Sequence, residues 1–325
     1  MSGRYKNAGS TAPPGKTNSM QSSMSLVCRL SVCLAVTLLV GCSLRQRAVN
    51  TLAEVLGEGE LVYLRDADSQ LVGEALPFNI KTIETLLESS PQHQSLLISA
   101  TKTISLYTYG YVEPEIAKLD ERDFDAAEAM RHRAAKLYQR AYRYGLRALE
   151  VSQPGFGDQL SQTPETAVAG FVREDVPMLV WTGAALGGAI SVAKDDPELT
   201  ADIAVVGALF HKALELDESW DRGTVHEFLL AYEAARVGGS LERAKFHYDR
   251  ALELGAGKQP SIWLGWAESV SLEQQNRDEF VDLLERVVAF DVDTHPNYRL
   301  FNVLAQRRAQ ALLSRIDELF LAEDH

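Results

Sequence analysis

The sequence predicts an all-α protein made of stacked helical hairpins. Three observations lead to this fold class. Apolar residues recur at the spacing of a helix, the period-two alternation of half-buried strands is almost absent, and one helical segment recurs along the chain. At 325 residues the chain is long enough for one large or two ordinary domains. We expect three regions: a signal peptide over residues 1–41, a lipidated tether over 42–50 and the helical domain over 51–325.

The first region has the features of a bacterial export signal. Residues 30–41 are uncharged, follow Arg29 and are too few to span a membrane as a helix, which is typical of a signal peptide. They end in Leu-Val-Gly-Cys at 39–42, which resembles the lipobox that signal peptidase II cuts. We therefore expect the thiol of Cys42 to carry a diacylglycerol, whose acyl chains tether the protein to a membrane. A plain secretory signal with a chance cysteine is the alternative.

Two further details concern this region. The residue after the cysteine is Ser43 rather than aspartate, which by resemblance to sorted lipoproteins favours the periplasmic face of the outer membrane. Residues 1–23 are rich in Ser, Gly, Pro and Asn and lie ahead of the leader, so that Met20 or Met24 is a candidate for the true start.

The charge is unevenly distributed. The first 41 residues carry four bases and no acid, which leaves 28 bases against 45 acids in the rest of the chain. Such an acidic body repels phosphate backbones, so nucleic acid is not an expected partner. It also gives no support for peripheral binding to anionic lipid, and we expect membrane attachment through the lipid on Cys42.

The third region predicts helices with recognisable ends. Asp196 before Pro197 predicts an N-cap followed by proline at the first helical position. Asn276 with Glu279 resembles a capping box, and residues 238–240 predict the end of one helix and the cap of the next. Clear apolar stripes at helical spacing occur at Val225, Phe228, Leu229 and Tyr232, at Leu241, Ala244, Tyr248 and Ala251, and at Phe280, Leu283, Leu284, Val287 and Val288.

The helices repeat in pairs. The segments LFHKALEL (209–216), HYDRALEL (247–254) and LLERVVAF (283–290) look like versions of one second helix, with 38 residues from Ala213 to Ala251 and 36 from there to Val287. A period in the middle thirties made of two helices is typical of the tetratricopeptide (TPR) repeat. Because the usual proline and the Trp-Leu-Gly pattern are missing, we predict a degenerate TPR-like α-solenoid. A generic solenoid with coincidental spacing is the alternative.

The sequence lacks the motifs that mark common catalytic sites, and we therefore predict a protein that is not an enzyme. The chain has no G-x-S-x-G elbow, no P-loop, and at His226-Glu227 lacks the second histidine of a zinc-protease helix. The three cysteines all lie at or before Cys42, and the seven histidines show no pair at metal-ligand spacing. We therefore expect no catalytic residue, no metal and no cofactor.

One segment, residues 176–193, has eighteen residues without a charge, which is the threshold for a membrane span. It is rich in Gly and Ala and has Pro177 near its start. The favoured interpretation is a central buried helix or a surface buried in an oligomer, and a second membrane span is the alternative.

Four aromatic residues are the candidates for binding a partner or ligand: Trp181, Tyr232, Trp263 and Trp266. The last three fall on first helices of hairpins, whose free faces line the concave side of a TPR stack. Rigid amphipathic rings make good anchors there. The alternative, which is more common for aromatics at helical spacing, is that they belong to the core.

Seven stretches spread along the helical region have a family resemblance. They are ALPFNIKTIETLL (75–87), RAAKLYQRAYRYGLRALE (133–150), PGFGDQL (154–160), DVPMLVWTGAA (175–185), HKALELDESWDRGTVHEFL (211–229), AESVSLEQQNRDEF (267–280) and RLFNVLAQRRAQALL (299–313).

These stretches resemble the TRAP transporter T-components, which are lipoproteins that accompany tripartite ATP-independent periplasmic transporters. The resemblance implies a periplasmic TPR-like lipoprotein that docks the transporter's solute-binding protein (the P-component) and helps present or store its ligand. It also implies a homo-oligomer, with a trimer as one expected state. Residues 181–190 depart from the family pattern through Thr-Gly and paired glycines.

The residues leave a second function open, in which an outer-membrane TPR lipoprotein helps to insert or organise envelope proteins. A hydrolase acting on the cell envelope is disfavoured because no nucleophile and base are arranged for it.

Overall fold

The computed structural model describes residues 50–53, 60–120 and 122–321, and the single positions Met1, Gly3 and Gly9. Cys42 lies outside the described residues, so its lipidation stays a prediction, as do the predicted domain limits. By their contacts, residues 1–51 and 52–325 form separate units, and the helices below belong to the second.

The predicted all-α fold is confirmed, since the described residues contain helices and turns but no strand. The α-helices are α1 (Glu60–Arg65), α2 (Ser69–Ser89), α3 (Gln94–Tyr107), α4 (Glu113–Asp120), α5 (Phe124–Ser152), α6 (Phe156–Gln162), α7 (Pro164–Ala167), α8 (Val176–Val192), α9 (Pro197–Ala201), α10 (Ile203–Leu216), α11 (Thr224–Ala235), α12 (Leu241–Gly255), α13 (Ser261–Trp266), α14 (Arg277–Val288), α15 (Arg299–Ser314) and α16 (Ile316–Leu319).

Two five-residue π-helices interrupt this pattern. Thr108–Val112 joins α3 to α4, and Ala267–Ser271 extends α13. Short 3₁₀ turns precede two of the longer helices, at Trp220–Gly223 before α11 and at Pro296–Tyr298 before α15. The sequence analysis predicted none of these four segments.

Most of the predicted helix ends are found as expected. Asp196 caps α9 by accepting hydrogen bonds from the amides of Glu198 and Leu199. Ser240 caps α12 by accepting from the amide of Arg243 at 3.1 Å. At α14 the side chain of Asn276 accepts from the Glu279 backbone amide. The Glu279 carboxylate accepts from the Ser271 hydroxyl and the Asn276 side-chain amide, while the Asn276 backbone amide donates to the Ser271 carbonyl. The reciprocal half of the predicted capping box is therefore replaced by a contact to the preceding π-helix.

Neighbouring helices pack as successive hairpins. Helix α2 packs on α3, α5 on α8, α8 on α10, α11 on α12, and α13 on α14. Small residues on α5 allow close approach, since Ala134, Ala141 and Ala148 are completely buried and recur every seven residues along one face. The predicted helix pairs of the C-terminal repeats correspond to α11–α12 and α13–α14.

The uncharged segment forms α8, which is a core helix. By length and composition Arg173–Val192 could cross a membrane, but 56% of its apolar window is buried inside the protein. It packs on α3, α5 and α10, with Leu179, Val180 and Ala189 completely buried. These contacts agree with the favoured interpretation of the segment as a central buried helix.

Helix α15 connects two parts of the core. Leu300 and Leu304 at its start pack with Val72 and Leu76 of α2. Further along, Ala305 and Ala309 belong to the C-terminal cluster that is built from α11 to α14. The last long helix of the chain thus joins the first long helix to the repeats.

Candidate functional site

A shallow cleft lies between α1, α2, α3, α8 and α15, and water-sized spheres can occupy about 30 Å³ of it. Three aromatic side chains, Tyr63, Trp181 and Phe301, line it together with aliphatic residues of the first three helices. This position follows from the hairpin packing, because α8 passes behind α3 while α15 returns to α1 and α2. An apolar cleft with a few polar groups is the usual form of a small-molecule site.

The polar side of the cleft comes from α2 and α3. Among the described residues, Lys102 contributes the one cationic side chain in the lining, accompanied by Asn79, Ser99 and Thr103. The Lys102 ammonium lies 5.4 Å from the centroid of the Trp181 ring, within the range of a cation–π interaction. The cleft therefore offers apolar surface for the body of a ligand and a positive charge with neutral hydrogen-bonding groups beside it.

Of the four aromatic residues predicted to bind a partner or ligand, Trp181 alone lines this cleft. Trp266 lies in the C-terminal core, where its side chain is 7% exposed and its ring centroid is 4.7 Å from that of Tyr248. For Trp266 the core interpretation therefore describes its surroundings better than the groove interpretation.

The other two predicted residues are half-buried. The Arg286 guanidinium lies 4.4 Å from the centroid of the Trp263 ring. The indole nitrogen of Trp263 is buried and has no hydrogen-bond partner within the described part of the chain. Tyr232 packs across to α10, where a Cβ added at Gly207 would lie 2.2 Å from the Tyr232 hydroxyl oxygen. The structure does not bring these two residues to the cleft, and their role in binding stays a prediction.

Sequence reasoning missed most of the cleft residues. Lys102, Tyr63 and Phe301 lie on three helices that are far apart in the chain, and no local pattern marks them. The only signal was the aromatic residue at the start of the uncharged helix, which led to Trp181.

A second polar cluster surrounds Arg308 of α15. Its guanidinium donates to Glu113 of α4 at 3.0 Å and to Glu268 of the second π-helix at 2.8 Å. The hydroxyl of Tyr138 also donates to Glu113, and burial together with that carboxylate raises the pKa of Tyr138 well above its usual value. Because these groups satisfy one another, we interpret the cluster as a bridge between the N-terminal and C-terminal helices.

A half-buried carboxyl group lies nearby on α11. Glu227 accepts hydrogen bonds from the Ser261 hydroxyl at 2.7 Å and from the Gln259 amide at 3.2 Å. Burial raises its pKa to about 7, although the Ser261 hydrogen bond acts in the opposite direction. Among the described residues, no group of three His, Cys, Asp or Glu side chains could hold a metal ion.

Comparison with known proteins adds to this picture. The chain is 28% identical over 307 residues to an uncharacterized protein of Treponema pallidum (strain Nichols), an alignment that covers 87% of this chain and 94% of that protein. The sequence profile of the family TAtT, TRAP transporter T-component, matches residues 65–320, which include every long helix from α2 to α15. That family is one of transporter components rather than enzymes, and it suggests a role in a TRAP transporter. The chain therefore belongs to the TRAP transporter T-component family.

Proposed function

We propose that the protein is a lipid-anchored helical scaffold that docks the solute-binding protein of a TRAP transporter and takes up that protein's ligand in the cleft. Membership of the T-component family supports the link to the transporter. The single structural observation that carries the proposal is the cleft itself, which combines three aromatic rings with the Lys102 ammonium.

The chemistry of the cleft favours an organic anion with an apolar portion. An apolar body would be desolvated against Tyr63, Trp181 and Phe301, while an anionic head would lie near Lys102. The neutral side chains of Asn79 and Thr103 would supply hydrogen bonds without adding charge.

The docking surface that we propose lies at α1. Tyr63 and Leu64 of this helix line the cleft, whereas Leu61 and Val62 are 43% and 69% exposed. Exposed apolar residues on the same short helix as cleft residues suit a partner protein that covers the opening. A solute-binding protein docked there would have its ligand close to the cleft, so that transfer would need little movement.

The proposed anchor fits this arrangement. Cys42 precedes Glu60 by 18 positions, and a segment of that length reaches at most roughly 60 Å when extended. Lipid on Cys42 would hold α1 within that reach of the periplasmic face of the outer membrane. The homo-oligomer, with a trimer as one expected state, stays a prediction.

The test is the affinity for the solute-binding protein encoded with the same transporter, measured by titration calorimetry with the full chain. Val62→Glu places a charge on the proposed surface and should weaken binding by about 2 kcal/mol or more, because such a change in a well-packed contact removes a hot spot. Val237→Glu is the matched control. Val237 is fully exposed in the turn between α11 and α12, and this variant should bind like the unchanged protein.

The possible results separate the alternatives. Equal weakening by both substitutions, or by neither, contradicts the proposed docking surface. Absence of binding by the unchanged protein contradicts docking as the function. In that case, recovery of outer-membrane proteins with the chain would favour the role in envelope assembly.

A further inference from the structure

Four side chains form a continuous hydrogen-bonded chain between α11, α12 and the segment before Trp220–Gly223. The Nδ1 atoms of His226 and His247 are 2.8 Å apart, and the Nε2 of His226 is 3.3 Å from the Glu218 carboxylate. Glu218 in turn accepts from Arg250 through both of its oxygens, at 2.6 and 3.0 Å. The two histidines, which the sequence analysis treated as scattered, are 0% and 7% exposed.

The position of each proton follows from these contacts. Arg250 holds the pKa of Glu218 down at about 2, so this carboxylate is charged and can only accept. His226 must then carry its proton on Nε2, which leaves its Nδ1 as an acceptor, and His247 must donate from Nδ1. Within the described residues the Nε2 of His247 has no hydrogen-bond partner, so it is the place where the chain can take up a proton.

The surroundings of the two histidines disfavour their protonated forms. Burial is the largest cause that lowers the pKa of both histidines, and together with the neighbouring His226 it brings the pKa of His247 to about 4. On His226 itself, Glu218 acts in the opposite direction. His211 of α10 and Arg243 of α12 act in the same direction on His247, while Glu233 of α11 raises its pKa. Glu233 already accepts from Arg236 and Arg243. Arg250 is also paired with Glu253.

The sign of the pH effect follows directly. A histidine in an opened or unfolded segment titrates near 6.5, whereas in the closed chain its pKa is lowered. The stability that the neutral chain contributes is therefore complete above pH ~6.5 and is lost as the pH falls toward about 4. Glu227, one residue beyond His226, has a raised pKa and contributes with the opposite sign.

The four hydrogen-bonded side chains adjoin a turn with a strained backbone. Asp221, Arg222 and Gly223 follow closely after Glu218 and all have positive φ angles, of 42°, 59° and 82°. Two of them are not glycine, and such conformations persist only where neighbouring structure holds them. The turn packs against both α11 and α12, the two helices that carry the histidines.

The turn also contacts Tyr298, which lies three residues before the cleft residue Phe301. The Tyr298 hydroxyl donates to Asp221 at 2.9 Å, and the Arg222 guanidinium lies 4.4 Å from the centroid of the Tyr298 ring. Tyr298 directly precedes α15, whose first turn contains the cleft residue Phe301. The neighbouring Asn297 accepts from Arg65 at the end of α1, the helix that forms another wall.

We propose that the chain His247–His226–Glu218–Arg250 is a proton-sensitive latch, which at mildly acidic pH releases the strained turn and, through Tyr298, loosens the walls of the cleft. The consequence for the ligand rests on the proposed function of the cleft. The proposal that the latch opens at acidic pH does not depend on that function.

The test is hydrogen–deuterium exchange of the full chain at about pH 7.5 and about pH 5.5, corrected for the intrinsic pH dependence of exchange. Between these values, a group that titrates near 6.5 when open and near 4 when closed should raise the opening equilibrium roughly tenfold. We expect this increase relative to a protein in which position 247 does not titrate, because the raised pKa of Glu227 acts in the opposite direction in both. It should be found in peptides covering residues 217–224 and, through Tyr298, in peptides covering residues 296–301.

Two substitutions of the same kind provide the comparison. Glutamine at position 247 can still donate to His226 but does not titrate, so His247→Gln should keep the protection at pH 7.5 and lose most of the acid response. Comparing this variant with the unchanged protein also separates the pH effect of the histidines from that of Glu227, because Glu227 titrates equally in both proteins. His132→Gln is the control, because His132 is 71% exposed on α5, far along the chain from the latch. This variant should respond like the unchanged protein.

Another result would overturn the proposal. That result is the same change in exchange at residues 217–224 between pH 7.5 and pH 5.5 in the unchanged protein and in His247→Gln. If that variant fails to fold, Tyr298→Phe gives the answer. Removing its hydroxyl should abolish the acid response at residues 296–301 while residues 217–224 still respond, and a response retained at both segments contradicts the coupling.

Binding of anilinonaphthalene sulfonate is followed in parallel. If this probe is not bound at either pH but exchange responds as expected, the cleft loses its proposed ligand while the latch stands.

Discussion

Trp181 and Trp266 differ in what covers their rings. Each is an aromatic residue at helical spacing, and spacing identifies the helix face without identifying what covers it. Trp266 is covered by Tyr248 of the neighbouring hairpin, whereas Trp181 has the open cleft in front of it. That difference depends on the packing of whole helices, so it could not be predicted from the residues alone.

Substitution by alanine should therefore separate stability from binding. Trp266→Ala should lower the free energy of unfolding by about 3 to 5 kcal/mol, because it leaves a cavity in the C-terminal core. Trp181→Ala should leave most of the stability but weaken binding of anilinonaphthalene sulfonate at least about tenfold, since it removes a wall of the cleft. Urea denaturation and fluorescence titration measure the two effects. A stable Trp266→Ala protein would contradict the core placement, and unchanged probe binding by Trp181→Ala would place the probe outside the cleft.

The glycines of α8 show how the local sequence permits the packing of a helix. A Cβ added at Gly188 would lie 2.7 Å from the Tyr138 ring of α5, and Tyr138 is itself held by its hydrogen bond to Glu113. A Cβ at Gly187 would meet Val206 at an ordinary 3.7 Å. At Gly188 the Tyr138 ring thus occupies the place of a Cβ, whereas at Gly187 a Cβ would fit.

This difference predicts opposite effects of the same substitution. Gly187→Ala should stabilise the protein by up to about 1 kcal/mol through helix propensity. Gly188→Ala gains the same propensity, but the forced shift of Tyr138 should cost about 1 to 3 kcal/mol, so that this protein is the less stable of the two. Thermal unfolding compares them. Equal midpoints would show that Tyr138 moves aside without cost.

Helix ends were more predictable than helix interiors. Asp196 and Ser240 bind amides one turn ahead, and such contacts depend on residues that are adjacent in sequence. The two π-helices were missed because nothing local requires them. They lie where α4 and the end of α13 meet Arg308 of a distant helix.

At the level of the whole molecule, α15 joins the first helices to the last. Its apolar residues belong to two core clusters, and Arg308 adds ionic contacts to Glu113 and Glu268, whose side chains are 14% and 24% exposed. The family, the fold class and the paired helices could be predicted from local periods and matching stretches. The cleft could not be predicted in this way, because its lining combines α15 with α1 and α2, which are far apart in the chain.

The Arg308 bridge should contribute measurably to the stability of the whole protein. Arg308→Met keeps the length of the side chain but leaves two largely buried carboxylates without their partner, which should cost about 2 to 3 kcal/mol. Arg277→Met is the control, because Arg277 pairs with Asp317 at the surface, and its loss should cost less than about 1 kcal/mol. Urea denaturation measures both. If the two costs are equal, the bridge is no stronger than a surface ion pair.

The π-helix at Thr108–Val112 has a consequence for how related chains are compared. A π-helix contains one residue more per turn than the α-helix around it, and one residue of an α-helix corresponds to a rotation of about 100°. The wider turn at Thr108–Val112 therefore accommodates one extra residue while α3 and α4 keep their faces, so that Glu113 still reaches Arg308 and Tyr138. In a sequence alignment, relatives with a plain α-helix at this place would show a gap of one position, and the ionic connection between the first and last helices would be kept across that gap.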